Sequence, residues 1–586
     1  MSMLSRAALV LALVGSLGGV SQAATIYPID RAAILLGSRF DFKVEFDGRV
    51  PPERVTVTVN GVEHATAFGR PAQFVDKEEG HDASALILRD VVLSQPGRYV
   101  ISASDGRTTS TVSWEVYQAA DVRKARNVIL FIGDGLSVAH RTAARILSKG
   151  ITEGKYRGLL AMDAMPRMAL VGTAGVDSII TDSANSASAY TTGHKSSVNA
   201  LGVYADRTPN TLDDPRVETI TRLVKRTHGM AVGVVTNTEV EDATPAAMVA
   251  HTRRRADYDP IVRMFHESGV DVLMGGGAAH FRPSTVPGGK RADDVDYVAR
   301  FRDGGYAVVT TEQEMKAAAA RPEARKLLGL FHPGNMDGVL DRKFLRKGTV
   351  EQYPDQPDLV DMVTSALQIL SRHEPGFLLM VESGLIDKFS HPLDWERAVM
   401  DTIMLDRAVE AAKGFAATHA DTLILVTADH THGLSIVGTI DDSAAGAQMR
   451  DKVGTYAQAG FPNYPPPTSE GYPPTLEVSK RLAIFFSDFP DHYETFRPKL
   501  DGPFLPSTRA ADGTYVANEQ YRALPGATLR PGILPRSANQ GVHTGEDVVL
   551  NAMGPGSEAV AGFMDNTEVF RVIVDALGLG AKLRPR

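Results

Sequence analysis

The sequence predicts an α/β protein: a large, mostly parallel central sheet flanked by helices, preceded by a small immunoglobulin-like β-sandwich. Three observations carry that expectation. From about Arg126 onward, short and nearly continuous apolar runs recur with helical-looking segments between several of them. Buried parallel strands read this way because helices cover both faces of their sheet. Over 24–118 the pattern is instead a period-two alternation punctuated by Asp-Gly and Asn-Gly turns. Finally, 586 residues exceed one ordinary core, so a large domain with at least one smaller companion is expected.

Residues 1–23 carry one arginine, then a short apolar run, then the small-residue pattern Ser21-Gln22-Ala23. That reads as a secretory signal peptide cleaved after Ala23, so the expected location is exported, periplasmic or extracellular. The run is too short for a comfortable membrane span, and no later segment approaches one. Within the sandwich domain, 24–118, the strands are RFDFKVEFDG, RVTVTVNGVE, GRYVISASDG and TSTVSWEVYQ. No histidines cluster there, which favours a spacer or surface module.

The catalytic domain is expected over 126–586. Its strands are RNVILFIGDG, MALVGTAG, MAVGVVTN, DVLMGGG, GFLLMVES and TLILVTADH. SVAHRTAARILS and DWERAVMDTIMLDRAVEAAKGFA are helical segments between them, and EDVVLNAMG followed by TEVFRVIVDALG repeats the pairing. Residues 434–541 break the pattern. FPNYPPPTSEGYPP excludes a central strand, and the segment is too long for a simple loop. An inserted lobe or lid near the site is expected.

Composition narrows the chemistry. The chain is 43% hydrophobic and 23% charged, and its net charge of −8 is modest for the length. No basic tract suggests nucleic-acid binding. There is no cysteine, which excludes cysteine nucleophiles and thiolate zinc sites. Any transition-metal site must use histidines and carboxylates.

In open sheets of this kind a ligand sits beyond the carboxyl ends of the strands. Asp134, Glu382, Asp429 and His430 all fall at strand ends. Asp134 stands between glycines in FIGDG, which let the backbone turn closely around a ligand; an acid beside glycine is common in plain turns, and this motif alone favours that reading. In VESGLIDKFSHP, Asp387 and His391 are spaced i,i+4 and share a face if the segment is helical. Lys388, beside Asp387, is either a surface charge or a group that approaches an anion. His543 lies in GVHTGED, just before the final strand. Together these segments supply ligands for two adjacent divalent ions.

A nucleophile is the remaining requirement. IITDSANSASAYTTG offers Ser183 where a helix should begin, with Asp182 or Ser183 as its cap. Free backbone N–H groups there would face an incoming phosphate, and cation coordination would make a serine a nucleophile. No G-x-S-x-G elbow surrounds it, so an ordinary esterase triad is disfavoured. In EDATPAAMVAHTRRR, Thr244 and Pro245 read as an N-cap and first helical residue. Arg255 would then lie about 16 Å along a straight helix from Thr244. Spacing alone leaves Arg253, Arg254 and Arg255 equally able to clamp a phosphate.

The blocks TDSANSASAYTTGHKS, EDATPAAMVAH, VESGLIDKFSH, TADHTHG and HTG resemble the alkaline phosphatase family in type, order and approximate spacing. The resemblance covers 126–433 and resumes from 541. It implies hydrolysis of small phosphate monoesters to alcohol and inorganic phosphate through a phosphoserine, with an alkaline optimum. It implies two Zn2+ and one Mg2+ as cofactors. Ser183 takes the place of the family's nucleophile. Asp387, His391 and His543 match the first zinc site, and Asp134, Asp429 and His430, joined by Ser183, match the second. Asp134 would also bridge to magnesium beside Thr244 and Glu382, with Asp242 in the surrounding shell. Arg255 matches the phosphate clamp, and Lys388 a lysine that acts near phosphate or magnesium through water. His432 has no assigned role.

The chain departs from the family in its N-terminal sandwich, its lack of cysteine and its proline-rich 434–541 segment, so a homodimer is left open. The rival readings are a phosphodiesterase on the same paired-ion core, a sulfatase, and an exported binding protein with a degenerate site. The absence of a C/S-x-P-x-R block weighs against the sulfatase.

Overall fold

The computed structural model describes residues 24–580, and the signal-peptide expectation for 1–23 lies outside the described residues. The apolar runs form one ten-stranded sheet. In chain order its strands are β1 (Asn127–Gly133), β2 (Arg167–Gly172), β3 (Ala231–Glu239), β4 (Val272–Gly276), β5 (Ala307–Val309), β6 (Leu327–Leu330), β7 (Phe377–Ser383), β8 (Thr422–Ala428), β9 (Val548–Met553) and β10 (Gly562–Asp565). They lie side by side in the order β5-β6-β4-β3-β7-β1-β8-β9-β2-β10. Neighbours are parallel except at β9, which runs antiparallel to both β8 and β2.

Every residue of β1, β7 and β8 is buried, which is why these strands read as continuous apolar runs rather than alternating ones. Their register positions the site. Gly133 of β1 pairs with Ser383 of β7 and with Ala428 of β8. Asp134 and Asp429 therefore leave the sheet at one level, with Glu382 a residue before it on the adjacent strand.

Five helices frame the strand ends or cover the sheet beneath them: α1 (Val138–Lys149), α2 (Ser183–Thr192), α3 (Ala243–Ala246), α4 (Leu385–Ser390) and α5 (Trp395–Thr418). The long α5 packs against α1 and α4 and covers β8 and β1. Among the described residues no helix is long and apolar enough to cross a membrane.

Residues 24–117 form two sheets. One contains Ala24–Tyr27, Arg39–Phe46, Ala85–Val92 and Gln73–Val75; the other contains Ala33–Leu35, Thr109–Tyr117, Gly97–Ser104, Thr56–Val59 and Val62–Glu63. They share a single apolar core that includes Phe42, Val44 and Leu88 from the first, and Val57, Ile101 and Trp114 from the second. This region is no detached spacer. Tyr204 and Val217 of the catalytic part join that same core, and Phe40 bridges to Val217. Apolar continuity with its neighbour holds the region in place.

Beyond β8, Leu434–Asp441, Val453–Gly454 and Lys480–Phe486 make a three-stranded sheet, followed by two short two-stranded ribbons. The proline-rich stretch 461–474 contains no strand.

Candidate active site

Ser183 is the first residue of α2. Asp182 is the N-cap, its side chain accepting from the Asn185 N–H while Asn185 bonds back to the Asp182 N–H. That reciprocal cap fixes where the helix starts, leaves Ser183 in the first turn, and turns the helix N-terminus towards β1 and β8. Ser183 Oγ lies 3.4 and 3.5 Å from the two Asp134 oxygens and 3.2 Å from His430 Nε2. The same Nε2 lies 3.1 Å from Asp134 Oδ1 and 3.4 Å from Asp429 Oδ2.

One ring nitrogen facing three oxygens cannot satisfy them with one proton. Nor does a carboxylate orient His430 as a general base, because its Nδ1 has no hydrogen-bond partner among the described residues. The cluster suits groups that share a cation better than it suits a Ser-His-Asp triad.

A second group adjoins it. Asp387 Oδ1 lies 3.3 Å from His391 Nε2, 3.3 Å from His543 Nε2 and 2.7 Å from His432 Nε2. Asp387 sits in α4 with His391 at its C-terminal cap, so the i,i+4 spacing does place both on one face. Second partners settle which nitrogen each imidazole presents. His391 Nδ1 donates to Gly541 O at 2.7 Å, and His543 Nδ1 donates to Thr181 O at 2.9 Å. Both Nε2 atoms are thereby freed toward Asp387. The two groups touch: the His430 and His543 rings stack with centroids 3.5 Å apart.

The third predicted position is built of oxygens. Glu382 Oε2 accepts from Thr236 Oγ1 and, at 3.1 Å, from Thr238 Oγ1, both on β3. Thr244 is buried in α3, which packs on β3 and β7, and its hydroxyl has no partner among the described residues.

Here the structure corrects the expected cap. Asp242, not Thr244, is the N-cap of α3, its carboxylate accepting from the Ala243 N–H at 2.8 Å. Pro245 then falls within the first turn, where no amide is required. The helix ends at Ala246, so the 16 Å separation expected along a straight helix does not apply.

The chain instead loops back and separates the three arginines. Arg253 turns to Asp214, at 3.3 Å, and to the Thr208 carbonyl. Arg254 is 67% exposed. Arg255 reaches Asp242 at 2.7 Å and Asp182 at 3.5 Å. Lys388 Nζ lies 3.0 Å from the other Asp242 oxygen and 3.6 Å from Asp387. Asp242 thus organises a cationic pair beside the Ser183 helix.

The charge balance is uneven. Burial, then repulsion from Asp429 and Asp387, pushes the Asp134 carboxyl well up. Burial and Asp387 raise Asp429, and burial raises Glu382. Burial also opposes ionisation of Asp387, but the imidazole of His391 foremost outweighs it and holds the carboxyl well below its ordinary value. The nearby cations are committed to Asp242, whose carboxyl they depress against its burial. One oxygen of Asp429 has no hydrogen-bond partner among the described residues. Buried acids in this excess, with orphaned lone pairs, suit divalent cations. Two groups offer nitrogen and oxygen; the third offers oxygen alone.

Two functional neighbours escaped the sequence reading. His432 joins the Asp387 group, and burial notwithstanding, its hydrogen bond to Asp387 and the nearby Asp488 carboxylate push it up to about 9. Its signal was present in TADHTHG, because residues i and i+2 of an extended segment face one side. Asp488, 3.7 Å from His432 Nδ1, comes from the 434–541 segment and carries no local signal.

The family model described as alkaline phosphatase matches residues 125–455. Alkaline phosphatase H of Pseudomonas aeruginosa is 32% identical over 368 residues, 56% of this chain and 74% of that protein. The alkaline phosphatase of Escherichia coli is 33% identical over 352 residues, covering 54% and 72%. Among solved structures, the alkaline phosphatase of Thermus thermophilus aligns with a TM-score of 0.56 at 26% identity, over 79% of this chain and 93% of that one. That of the Antarctic bacterium TAB5 aligns with a TM-score of 0.52 at 21% identity, over 79% and 99%, and speaks for the fold alone.

Proposed function

The chain belongs to the alkaline phosphatase family, and on that basis we propose that it hydrolyses phosphate monoesters with Ser183 as nucleophile. The observation that carries the reading is Ser183 Oγ at the N-terminus of α2, within 3.5 Å of Asp134 and 3.2 Å of His430. The family is metal dependent, and the donor sets fit particular ions. Asp387, His391 and His543 would hold one Zn2+; Asp134, Asp429 and His430, with Ser183, a second; Asp134, Glu382 and Thr244 an Mg2+. When bound, these ions act as Lewis acids that neutralise phosphate and alkoxide charge and ease deprotonation of hydroxyl groups.

The chain's own groups supply the remainder. Ser183 Oγ forms the new bond to phosphorus, and the bond to the leaving alcohol breaks, its electron pair departing with that oxygen. The amides of the α2 first turn and the Arg255 guanidinium lie where the phosphoryl oxygens gather charge. Asp242 and Asp182 hold Arg255 in that position, so little reorganisation is left for the transition state. Lys388 adds positive charge from the other side of Asp242. Water then cleaves the phosphoserine and a proton returns to Ser183 Oγ. Deprotonation of Ser183 and of the attacking water favours an alkaline optimum. The same reading takes the protein as exported, with 24–118 and 126–586 as its two units and 434–541 as an inserted lobe.

Ser183→Ala is expected to keep its metal content and fold while losing turnover by on the order of 10³-fold or more. Unchanged turnover would overturn the nucleophile. Rates on a monoester and a diester of one leaving group test the substrate class, and faster diester turnover would overturn it.

A further inference from the structure

Behind the Asp242 network a separate set of donors meets, with no part in phosphoryl transfer. Glu239 ends β3, Glu241 follows two residues later, and His280 lies in the short turn Ala278–Phe281 after β4. One donor atom from each lies within 4.8 Å of the others. Glu241 is 0% exposed, and neither of its carboxylate oxygens has a hydrogen-bond partner among the described residues. His280 Nδ1 is likewise buried without a hydrogen bond.

The backbone makes room for that carboxylate. Gly277, at φ +89°, lies so close that a Cβ there would sit 2.1 Å from Glu241 Oε2. Only glycine tolerates both that backbone angle and that approach.

The surrounding charges do not compensate the two acids. Lys290 is exposed, and among the described residues neither Glu239 nor Glu241 forms an ion pair. Lys388 is committed to Asp242. Arg291 is bound to Asp293, and Asp259 brings a further negative charge 3.8 Å from His280 Nδ1. Burial and the Glu239 carboxylate together push the Glu241 carboxyl well up. A buried carboxylate with both oxygens unmet requires either a proton or a cation.

The convergence of an imidazole and a second carboxylate on the same point favours the cation. We propose that Glu239, Glu241 and His280 bind a further divalent ion, of the class that accepts mixed oxygen and imidazole ligands, as Zn2+ does. Glu241 directly precedes Asp242, so this ion pins the segment that carries the Arg255–Asp242–Lys388 network. Its role is structural, one layer behind the phosphate clamp.

The test uses the full chain, stripped of metal, reloaded with Zn2+ and Mg2+, and freed of excess ions by gel filtration. Zinc per chain is counted by mass spectrometry for the wild type, Glu241→Gln and His280→Ala. Each variant is expected to hold one Zn2+ fewer than the wild type. Zinc-edge anomalous diffraction from wild-type crystals should place a peak among the three side chains. Equal zinc counts in all three proteins, or no such peak, overturns the proposal and leaves Glu241 as a buried neutral acid. Should Glu241→Gln fail to fold, His280→Ala, at a partly exposed position, carries the comparison alone.

Discussion

At the seam between the N-terminal sheets and the catalytic part, the Lys43 side chain is 2% exposed and lies 3.0 Å from Glu45, 2.6 Å from Glu78 and 2.6 Å from Asp206. Arg207 adds a second cation 2.8 Å from Glu78, and Arg253 a third 3.3 Å from Asp214. Beyond β7, β1 and β8, Asp134, Asp429 and Asp387 are buried just as deeply but meet imidazoles, and Glu382 meets threonine hydroxyls. The seam answers Glu45, Glu78 and Asp206 with cations of the chain, and leaves one oxygen of Asp214 unmet among the described residues. In the catalytic centre Asp134, Asp429 and Glu382 have no such cation, and an Asp429 oxygen and the Thr244 hydroxyl have no hydrogen-bond partner among the described residues. Burial of charge therefore says little by itself. What separates a scaffold from a site is whether the compensating charge belongs to the polypeptide.

Removing divalent ions with a chelator should strike the two regions most unequally. Turnover is expected to fall by on the order of 10³-fold, while hydrogen exchange quickens over 429–432 and stays slow over 39–46. Equal loosening of both regions would break the distinction.

Lys43→Met should invert that result. Leaving three buried acids without their shared ammonium costs about 3–5 kcal/mol, seen as a lower urea midpoint, while kcat of the folded fraction is unchanged. A lowered kcat would mean that the seam also tunes the centre.

His432→Gln is a finer probe, because His432 orients Asp387 without being needed to balance the whole centre. It should weaken zinc at the Asp387 group by about 10- to 100-fold, measured by competition with a chromophoric chelator. Unaltered affinity would reduce His432 to packing.

The smallest effect is a pH slope. Burial raises Asp214 from 3.8 to about 7, so the folded protein holds this proton where the unfolded chain has lost it. Its stabilising contribution is complete below 3.8 and is lost as pH rises through about 7. Asp214→Asn should flatten that part of the curve of urea midpoint against pH. An unaltered slope would remove Asp214 from the balance of the seam.

The central strands and their terminal acids were legible because burial on both faces writes continuous apolar runs, and the turns after them carry the candidate ligands. The Asp387/His391 face was legible from its i,i+4 spacing alone. The edge strands β5 and β10, and β6 beside the first, were not, being three or four residues long. The α3 cap was misplaced by two residues, since Asp242 and Thr244 are both competent caps and only the fold shows that Asp242 accepts the first helical N–H.

By itself the sequence determined the sheet, the strand-end acids, the place of Ser183 at a helix start and the absence of thiolate ligands, since each depends on residues close together in the chain. Tertiary structure alone decided which charges meet. Lys43 finds Asp206 across 163 residues, His391 finds the Gly541 carbonyl across 150, and His432 lies near Asp488 of the 434–541 segment. Local propensity is set by neighbours in sequence, whereas the compensation of a buried charge is set by neighbours in space. That is why the sequence shows the candidate ligands, and only the fold shows which buried acids the chain leaves without a cation of its own.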